Sequence, residues 1–283
     1  MRRPLVDGDW LEAHLDDPRL VIAEVSSQKA SSAEYSVGHI PGARFVYWKD
    51  LCWKELVRDF PTPEEMAARL GRLGVGDDTT LVLVGDPIQF ATYAYWVMTM
   101  TGFEHLALVL DGGRDLWIRE RRPITDRVPD VTPADPPRPG VSSVECRIGR
   151  DEVLAGLGSP TRVLLDLRSR EEYLGLRVSP ATLEFDHGAE RAGHIPGARH
   201  LPYDRLLTED GRFKPTDQLA AEFDGLALDD REVVTYCRLS HRASLGWFVL
   251  TRLLGRPNVR VYDGSWTEWG SMVGMPIVAG EDP

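Results

Sequence analysis

The stretch Gly-His-Ile-Pro-Gly-Ala-Arg occupies residues 38–44 and returns, letter for letter, at residues 193–199. Two further pairs of segments match in the same order along the chain, a strand-like apolar run and an apolar-Asp-Gly turn followed by a tryptophan. The matching pairs are 81–84 with 233–236 and 110–112 with 262–264. The first pair is 155 residues apart and the other two are 152 apart. Ordered matches at nearly the same spacing are the signature of an internal repeat, so the chain is predicted to contain two copies of one domain.

A proline-rich stretch separates the two copies. Five prolines fall between residues 125 and 144, at 129, 133, 136, 137 and 139. Proline lacks a backbone N–H and fixes φ, so such a segment is expected to be an extended linker and not a helix or a central strand. We therefore predict a first domain over 1–125, a linker over 126–144 and a second domain over 145–283.

Short apolar runs alternate with amphipathic segments in each copy. The runs 19–25 and 162–167 have the composition of buried parallel strands. Helical spacing is found at 63–73, 216–223 and 241–254, and the first two segments carry Thr62-Pro63 and Thr216-Asp217 as cap signals. The pattern predicts an α/β fold of two domains, each a parallel sheet covered by helices on both faces.

Composition excludes several classes of function. The net charge of −11 argues against nucleic acid or an anionic membrane as a partner. No apolar run reaches the roughly 18–20 residues that span a bilayer, and residues 1–10 lack the apolar core of a secretory signal. Three widely spaced cysteines, at 52, 146 and 237, form neither a disulfide framework nor a zinc motif. A reducing, cytoplasmic location is expected.

The segment from Cys237 to Arg242 carries the clearest chemical signal. A predicted strand ends at Tyr236, Cys237 follows directly, and a helical pattern begins at His241. The unpaired N–H groups and the positive end of a helix dipole at such a junction stabilise a thiolate and an anionic ligand. Arg238 and Arg242 add positive charge. A buried, inert cysteine at a strand end is the alternative, but the two arginines favour a nucleophile.

The repeat, the Gly-His-Ile-Pro-Gly-Ala signature and the Cys-Arg loop together resemble the rhodanese family of sulfurtransferases, in its two-domain form. The resemblance covers both copies and implies an inactive first domain and a catalytic second one. Cys237 corresponds to Gly85 of the first copy, and Asp86 follows it. Because Asp86 would disfavour a thiolate, Gly85→Cys is expected to create no second active site while leaving the fold intact.

The resemblance also implies a reaction cycle without a metal or an organic cofactor. The Cys237 thiolate would take a sulfane sulfur from thiosulfate and pass it, as a persulfide, to cyanide or to a thiol acceptor such as a thioredoxin-like protein. Arg238 and Arg242 resemble the charged loop of thiosulfate enzymes, which favours a dianionic donor over 3-mercaptopyruvate. Mercaptopyruvate sulfurtransferase remains the alternative enzyme.

The expected substrate-binding residues are Arg238, Leu239, Ser240, His241, Arg242, Asp166 and Arg168. Ser240 stands where the family loop usually has glycine, so it either stores backbone strain at positive φ or donates its hydroxyl to the bound sulfur. Arg168 either contacts the substrate or pairs with Asp166 or Glu171. The family often has a further arginine near this point, where this chain has Glu171-Glu172.

Other features of the second copy are open or structural. His39 and His194 belong to the repeated signature of both copies, which favours a structural role. Trp266 and Trp269 either line the pocket or lie in the core. Residues 174–192 are an insertion without counterpart in the first copy, expected either to line the active-site cleft or to pack at the domain boundary.

Two other functions compete with sulfur transfer. A phosphatase of this fold needs five residues between the cysteine and the arginine, whereas four separate Cys237 from Arg242. A non-catalytic rhodanese-like binding module would be expected to lack the cysteine, as the first copy does. Both alternatives are disfavoured for the second copy.

Overall fold

The computed structural model describes residues 4–183 and 185–282. Residues 1–3, on which part of the expectation of no secretory signal rests, and Glu184 of the 174–192 insertion lie outside this description. The chain divides into two compact units, one formed by 4–144 with 209–212 and the other by 145–208 with 213–282. No helix among the described residues is long and apolar enough to cross a bilayer.

The first unit is built on one parallel sheet. Its strands are ordered β1-β5-β4-β2-β3. Its elements are β1 (Leu5–Val6), α1 (Gly8–Ala13), β2 (Leu20–Ser26), α2 (Ser32–Val37), β3 (Ala43–Tyr47), α3 (Trp48–Cys52), α4 (Pro63–Arg72), β4 (Thr80–Asp86), α5 (Gln89–Thr101), β5 (Ala107–Leu110) and α6 (Gly113–Arg119), with 3₁₀ turns at Lys29–Ser31 and Glu104–Leu106.

The second unit repeats that sheet with the strand order β6-β10-β9-β7-β8. Its elements are β6 (Arg147–Ile148), α7 (Arg150–Ala155), β7 (Arg162–Asp166), α8 (Arg170–Tyr173), β8 (Arg199–His200), α9 (Thr216–Glu222), β9 (Glu232–Tyr236), α10 (His241–Phe248), β10 (Val259–Tyr262) and α11 (Ser265–Trp269). A 3₁₀ turn, Val144–Cys146, precedes β6, and another, Tyr203–Leu206, follows β8.

The identical strand order of the two sheets confirms the predicted α/β fold of two like domains. Each unit places a short strand of two residues at one edge and its longest strands at the centre. The central strands β4 and β9 are almost entirely buried, which explains why they are continuous apolar runs without alternation. Separate cores form on each sheet, around Trp117 in the first unit and around Trp266 and Trp269 in the second.

Residues 126–143 contain neither helix nor strand, as the prolines predict. The segment lies along the first unit and bonds to it through the backbone. The N–H of Ala134 donates to Gly71 O at 2.9 Å, and the N–H of Gly140 donates to Gly102 O at 2.7 Å. It therefore packs as an extended strap on the first unit.

The segment predicted as one helix over 241–254 begins as an α-helix and continues as a π-helix. α10 ends at Phe248, and Val249–Leu253 continues as a π-helix, closed by a bond from Leu254 N to Val249 O. Single π-turns of this kind are found as local bulges within longer helices. The predicted span is therefore correct as a helical segment, and only its hydrogen-bond spacing differs.

The two predicted helix caps have different outcomes. Thr62 forms a capping box with Glu65: the N–H of Glu65 donates to Thr62 Oγ1 at 3.2 Å, and the N–H of Thr62 donates to Glu65 Oε2 at 2.8 Å. Thr216 is the first residue within α9, and Pro215 precedes it without a side-chain cap. The Thr216 cap prediction is wrong, because the turn of the chain at Pro215 moves the helix start one residue earlier.

This contrast between the two threonines gives a stability test. Thr62→Ala removes a side-chain acceptor from the N-terminus of α4 and is expected to lower the free energy of unfolding of the first unit by about 1 kcal/mol. Thr216→Ala is the matched control and should change stability by less than about 0.5 kcal/mol, because no cap is lost. Urea unfolding followed by circular dichroism measures both. Equal losses in the two variants would contradict the assignment of the caps.

Candidate active site

Cys237 lies at the first position after β9, where the chain turns toward α10. The side chain is buried, with 1% of its residue surface exposed. The carbonyl of Cys237 accepts a hydrogen bond from Trp266 N at 2.9 Å, and the carbonyl of Arg238 accepts one from Thr267 N at 3.0 Å. These two bonds attach the loop to the start of α11. The thiol is therefore held on a fixed backbone at the carboxyl end of the sheet, where parallel folds bind ligands.

Several backbone N–H groups of this loop are available to an anion. Among the described residues, the N–H groups of 238–240, 242 and 243 donate to no protein acceptor, and α10 has no side-chain cap. Consecutive unpaired amides at the start of a helix form a concave site for negative charge. A thiolate or persulfide at Cys237 therefore lies beside donors that are already oriented.

Ser240 adopts the left-handed conformation, with φ at 68°. A non-glycine residue at positive φ is strained. Of the two alternatives that the sequence left open for Ser240, the structure therefore shows backbone strain. Its hydroxyl donates to the carbonyl of Asp263 and lies 3.0 Å from Asp263 Oδ1. The hydroxyl therefore fastens the loop to the turn after β10. The other alternative, donation of this hydroxyl to the bound sulfur, is not needed to explain a serine at this position.

A second strained serine supports the cysteine itself. Ser265 has a φ of 52° and is fully buried. Its Oγ accepts from Cys237 N at 3.2 Å and donates to Tyr262 O at 2.9 Å. Strained, buried residues with a specific hydrogen bond cluster at functional sites. Sequence analysis missed Ser265, and its position directly after the repeated Asp-Gly turn is the signal that could have identified it.

Arg242 is bound to a carboxylate that the sequence did not assign to it. Glu172 accepts two hydrogen bonds from the guanidinium, at 2.6 and 2.8 Å. Both residues are buried, and Ser169 N also donates to Glu172 at 3.1 Å, so the carboxylate is fixed by the cap of α8. The pKa of Arg242 is raised above its usual range by Glu172, although burial opposes this. The expected second positive charge beside the thiol is largely neutralised.

Arg238 forms no ion pair with a carboxylate of the described residues 4–183 and 185–282. Its guanidinium is half-buried and donates to His187 O at 3.1 Å, which places it against the 174–192 insertion. Burial and the charge of Arg242 lower the pKa of Arg238 from its ordinary value. Leu239 beside it is also half-buried, and His241 begins α10. Of the two arginines, Arg238 is the one that offers net charge to a ligand.

The insertion packs against the cysteine loop and α11 of the same unit. Arg191 O accepts from Trp266 Nε1 at 2.9 Å, and the Arg191 guanidinium donates to the carbonyl of Met275, also at 2.9 Å. Asp186 closes the insertion by accepting from the N–H groups of Val178 and Ser179. The contacts of His187 and Arg191 make the segment a wall beside Arg238, in agreement with the first of its two predicted roles.

Asp166 and Arg168 are not placed to bind a substrate. Both side chains are fully buried. Arg168 Nη2 donates to Asp166 Oδ2 at 2.6 Å and to Gly193 O at 2.7 Å, and its guanidinium stacks on Trp266 at 4.4 Å. Of the alternatives for Arg168, the structure shows the ion pair with Asp166. The prediction that Asp166 and Arg168 contact the substrate is therefore wrong, because no surface of either side chain is open to a ligand.

The histidines of the repeated signature have a structural role in both units. His39 stacks on Tyr35, with ring centroids 3.9 Å apart, and His194 stacks on Tyr173 at 3.8 Å. In each unit Nδ1 bonds to the carbonyl of the same tyrosine, at 2.7 and 2.8 Å. Trp266 and Trp269 are likewise core residues. The predicted structural role of the histidines is confirmed.

Tyr203 is a further residue that sequence analysis missed. It lies in the 3₁₀ turn after β8, and its ring centre is 6.0 Å from the Arg242 guanidinium carbon. Burial raises the pKa of the phenol above its ordinary value, and the hydroxyl is a hydrogen-bond donor at neutral pH. Its place after the carboxyl end of a strand, on the same edge of the sheet as Cys237, is the signal that could have found it.

The corresponding loop of the first unit has no room for a thiol. A Cβ on Gly85 would lie 2.7 Å from Ile88 Cα and from Pro87 O, and a Cβ on Gly113 would lie 2.5 Å from Gly85 O. Gly113 is the counterpart of Ser265, so the first unit replaces the serine that supports Cys237 by a close backbone contact. Gly85→Cys would therefore require the backbone of this loop to shift, a cost that the expectation of an intact fold did not include.

The other two cysteines are placed as structural residues. Cys52 ends α3 and is fully buried, and burial raises the pKa of its thiol well above the usual range. Cys146 is buried just before β6. Neither lies in the loop after a central strand.

The Arg242–Glu172 pair predicts a stability defect that is separate from chemistry. Arg242→Ala leaves a buried carboxylate unpaired and is expected to lower the free energy of unfolding of the second unit by about 3 kcal/mol or more. The double variant Glu172→Gln/Arg242→Gln should recover most of that loss, because no buried charge remains. Arg238→Ala serves as control and should cost less than about 1 kcal/mol. Denaturant unfolding measures all three, and an equal loss in the double variant would contradict this account.

Two regions of the chain match one family model. The model described as Rhodanese-like domain matches residues 7–120 and, separately, residues 149–272. Each match covers one of the two sheets. The second contains the whole loop from Cys237 to Arg242.

Proteins of similar sequence carry names from sulfur chemistry. The chain is 41% identical to "Sulfur carrier protein TtuD" of Thermus thermophilus over 98% of this chain and 97% of that protein. It is 45% identical to "Putative thiosulfate sulfurtransferase SseA" of Mycobacterium tuberculosis over 99% of this chain and 92% of that protein.

Solved structures show the same fold. The structure of wild-type EanB superimposes with a TM-score of 0.82 at 24% identity, covering 99% of this chain and 70% of that one. The structure of YnjE gives 0.79 at 24% identity, covering 98% and 68%. With the twofold match to the family model and relatives above 40% identity, the chain belongs to the two-domain rhodanese family of sulfurtransferases.

Proposed function

We propose that this protein transfers a sulfane sulfur from thiosulfate, through a persulfide on Cys237, to cyanide or to a thiol acceptor. The observation that carries the proposal is the thiol at the end of β9 beside unpaired backbone amides at the start of α10. Under the same proposal the domain over 145–283 is the catalytic one, and the domain over 1–125 is inactive.

The first half of the cycle forms the persulfide. The Cys237 thiolate forms a bond to the outer sulfur of thiosulfate, the sulfur–sulfur bond of thiosulfate breaks, and its electron pair leaves with sulfite. The enzyme then carries an outer sulfur with a negative charge. The amides of 238–240, 242 and 243 stabilise that charge without reorganising, because the loop is already held by Ser240 and Ser265.

The second half returns the free thiolate. Cyanide or an acceptor thiolate attacks the outer sulfur, and the electron pair of the persulfide bond returns to Cys237. With cyanide the product is thiocyanate, and with a thiol acceptor it is a persulfide on that acceptor. The relative named as a sulfur carrier supports a protein thiol, for example a thioredoxin-like dithiol, as the acceptor.

Leu239, Ser240 and His241 contribute mainly the shape of the loop and its amides in this proposal. Arg238 contributes the positive charge that holds the donor, while Arg242 fixes the loop through Glu172. Asp166 and Arg168 support the loop from the core and do not contact substrate. Tyr203 is added as a donor beside Arg242.

A second donor has a specific observation in its favour. Glu172 neutralises Arg242, so the loop offers one net arginine charge, which also suits the monoanionic 3-mercaptopyruvate. Thiosulfate stays the proposed donor because several unpaired amides and Arg238 together can hold two negative charges. The relative SseA, which is named for thiosulfate, supports the same choice.

Replacement of the thiol tests the site. Cys237→Ser is expected to abolish sulfur transfer from thiosulfate to cyanide, because serine cannot carry the persulfide. Cys52→Ser and Cys146→Ser are the controls and should each keep most of the activity. After treatment with thiosulfate, intact-protein mass spectrometry should show the mass of one added sulfur on every variant except Cys237→Ser. Sulfur found on Cys52 or Cys146 would refute the assignment.

A comparison of donors tests the substrate. With cyanide as acceptor, kcat/KM is expected to be higher for thiosulfate than for 3-mercaptopyruvate. Arg238→Ala should reduce kcat/KM for thiosulfate by about tenfold or more, since a charge-assisted hydrogen bond contributes roughly 1.5–3 kcal/mol. The loss for mercaptopyruvate should be smaller, because that donor has a single charge. A higher kcat/KM for mercaptopyruvate in the unmodified enzyme would contradict thiosulfate as the donor and favour 3-mercaptopyruvate.

A further inference from the structure

Two adjoining cavities open on the first unit, between β3 and α4. Their volumes are about 400 and 530 Å³, and they share Tyr47, Asp50, Arg69 and Arg72 in their walls. We name them together the β3–α4 groove. The remaining residues that line it are Lys29, Ser32, Phe45, Val46, Leu51 and Leu73 in one cavity, and Lys49, Trp53, Lys54, Glu55, Leu56, Val57 and Arg58 in the other.

The groove concentrates positive charge in an acidic protein. The chain has a net charge of −11 and only four lysines, and three of these, Lys29, Lys49 and Lys54, line the groove. Three arginines accompany them, whereas Asp50 and Glu55 are the only acidic residues in its walls. The electrostatic potential at the groove is therefore positive, whereas the net charge of the molecule is negative. An acidic surface of a partner is attracted to the groove and repelled by the rest of the protein.

Part of this charge is held within the protein, since Arg69 donates to the carbonyls of Leu51 and Trp53 at 2.8 and 2.9 Å. Lys49 and Arg72 are exposed and form no ion pair among the described residues. Two of the lysines form long ion pairs, 4.0 Å from the exposed Lys29 to Asp50 and 3.8 Å from the half-exposed Lys54 to Glu65. Such pairs contribute little to stability and are easily exchanged for a partner's carboxylates.

Apolar and aromatic surface lies between the charges. Leu56 and Val57 are 94% and 61% exposed, an unusual degree for adjacent large apolar residues. Trp53 lies under two cations, with Lys49 Nζ at 5.1 Å and the Arg58 guanidinium at 4.7 Å from its ring centre. Exposed apolar side chains rimmed by charge mark surfaces for protein partners, and aromatic and arginine side chains are enriched at their centres.

We propose that the β3–α4 groove docks an acidic polypeptide segment with apolar side chains, contributed by a partner protein. A single small anion would use neither the apolar walls nor two adjoining cavities. Nucleic acid is disfavoured by the overall negative charge. The surface lies in the unit without the Cys237 loop, so the proposal gives that unit a function of its own. It does not depend on which sulfur donor the second unit uses.

The groove is tested by peptide binding to the full chain. The probe is a fluorescein-labelled synthetic peptide in which aspartate and glutamate alternate with leucine and phenylalanine. Two comparison peptides replace the acidic residues by lysine, or the apolar residues by serine. Fluorescence anisotropy should show the tightest binding for the acidic, apolar peptide, and the affinity should fall as salt rises, because exposed charges are screened.

Variants then locate the binding site. Lys49→Glu/Arg72→Glu is expected to weaken binding by about tenfold or more through direct repulsion. Arg19→Glu/Arg127→Glu makes the same change in net charge outside the groove and should alter the dissociation constant by less than about twofold. Leu56→Ser/Val57→Ser removes side chains that are mostly exposed, so folding is retained, and it should weaken binding by about tenfold. Sulfur transfer from thiosulfate to cyanide should be unchanged in all three.

Three results would overturn the proposal. One is equal affinity of the unmodified protein and Lys49→Glu/Arg72→Glu for the acidic, apolar peptide. Another is equal affinity for the peptide in which serine replaces the apolar residues, which would reduce the groove to a site for charge alone. The third is complete displacement of the peptide by millimolar sulfate, which would indicate a small-anion site.

Discussion

A carboxylate–arginine pair fastens the Gly-His-Ile turn of each unit to a strand of its sheet, and the pair is largely buried in the first unit and fully buried in the second. In the first unit Arg114 donates to Gly38 O at 2.7 Å and pairs with Glu24 at 3.2 Å. In the second, Arg168 does the same with Gly193 O and Asp166. Burial raises the pKa of Glu24. Burial also acts to raise the pKa of Asp166, but the charge of Arg168 outweighs it and holds the pKa of Asp166 below its usual range.

The two arginines reach the same carbonyl from different places in the chain. Arg114 comes from α6, whereas Arg168 is the second residue after β7. In the second unit the counterpart of Arg114 is Trp266, and the residue before it, directly after the Asp-Gly turn, is Ser265, which supports Cys237. In the first unit that position is Gly113, and the backbone closes against Gly85. The two units thus share a similar core and differ in how they use the same turn.

The repeat, the parallel sheets and the place of the loop could be predicted from sequence, because they rest on local patterns and on the edge rule for parallel sheets. The partners of buried charges could not. Glu172 and Arg242 are 70 residues apart in the chain, and the sequence near Arg242 carries no sign of the pair. The same holds for Ser265, whose role depends on a φ value. The Thr216 cap failed for a local reason, since the turn at Pro215 shifts the helix start.

The loop is therefore an example of two arginines with separate tasks. Loss of the buried Arg242 would leave Glu172 unpaired, which costs more free energy of folding than a surface charge contributes to the free energy of binding. Arg242 therefore acts mainly by fixing the geometry of the loop. Its guanidinium fixes the first turn of α10, and that turn orients the amides of 242 and 243. Among the described residues, the Arg238 guanidinium donates to the carbonyl of His187 and to no carboxylate. Because that contact comes from the insertion, the position of this charge beside Cys237 is set by a segment that the first unit lacks.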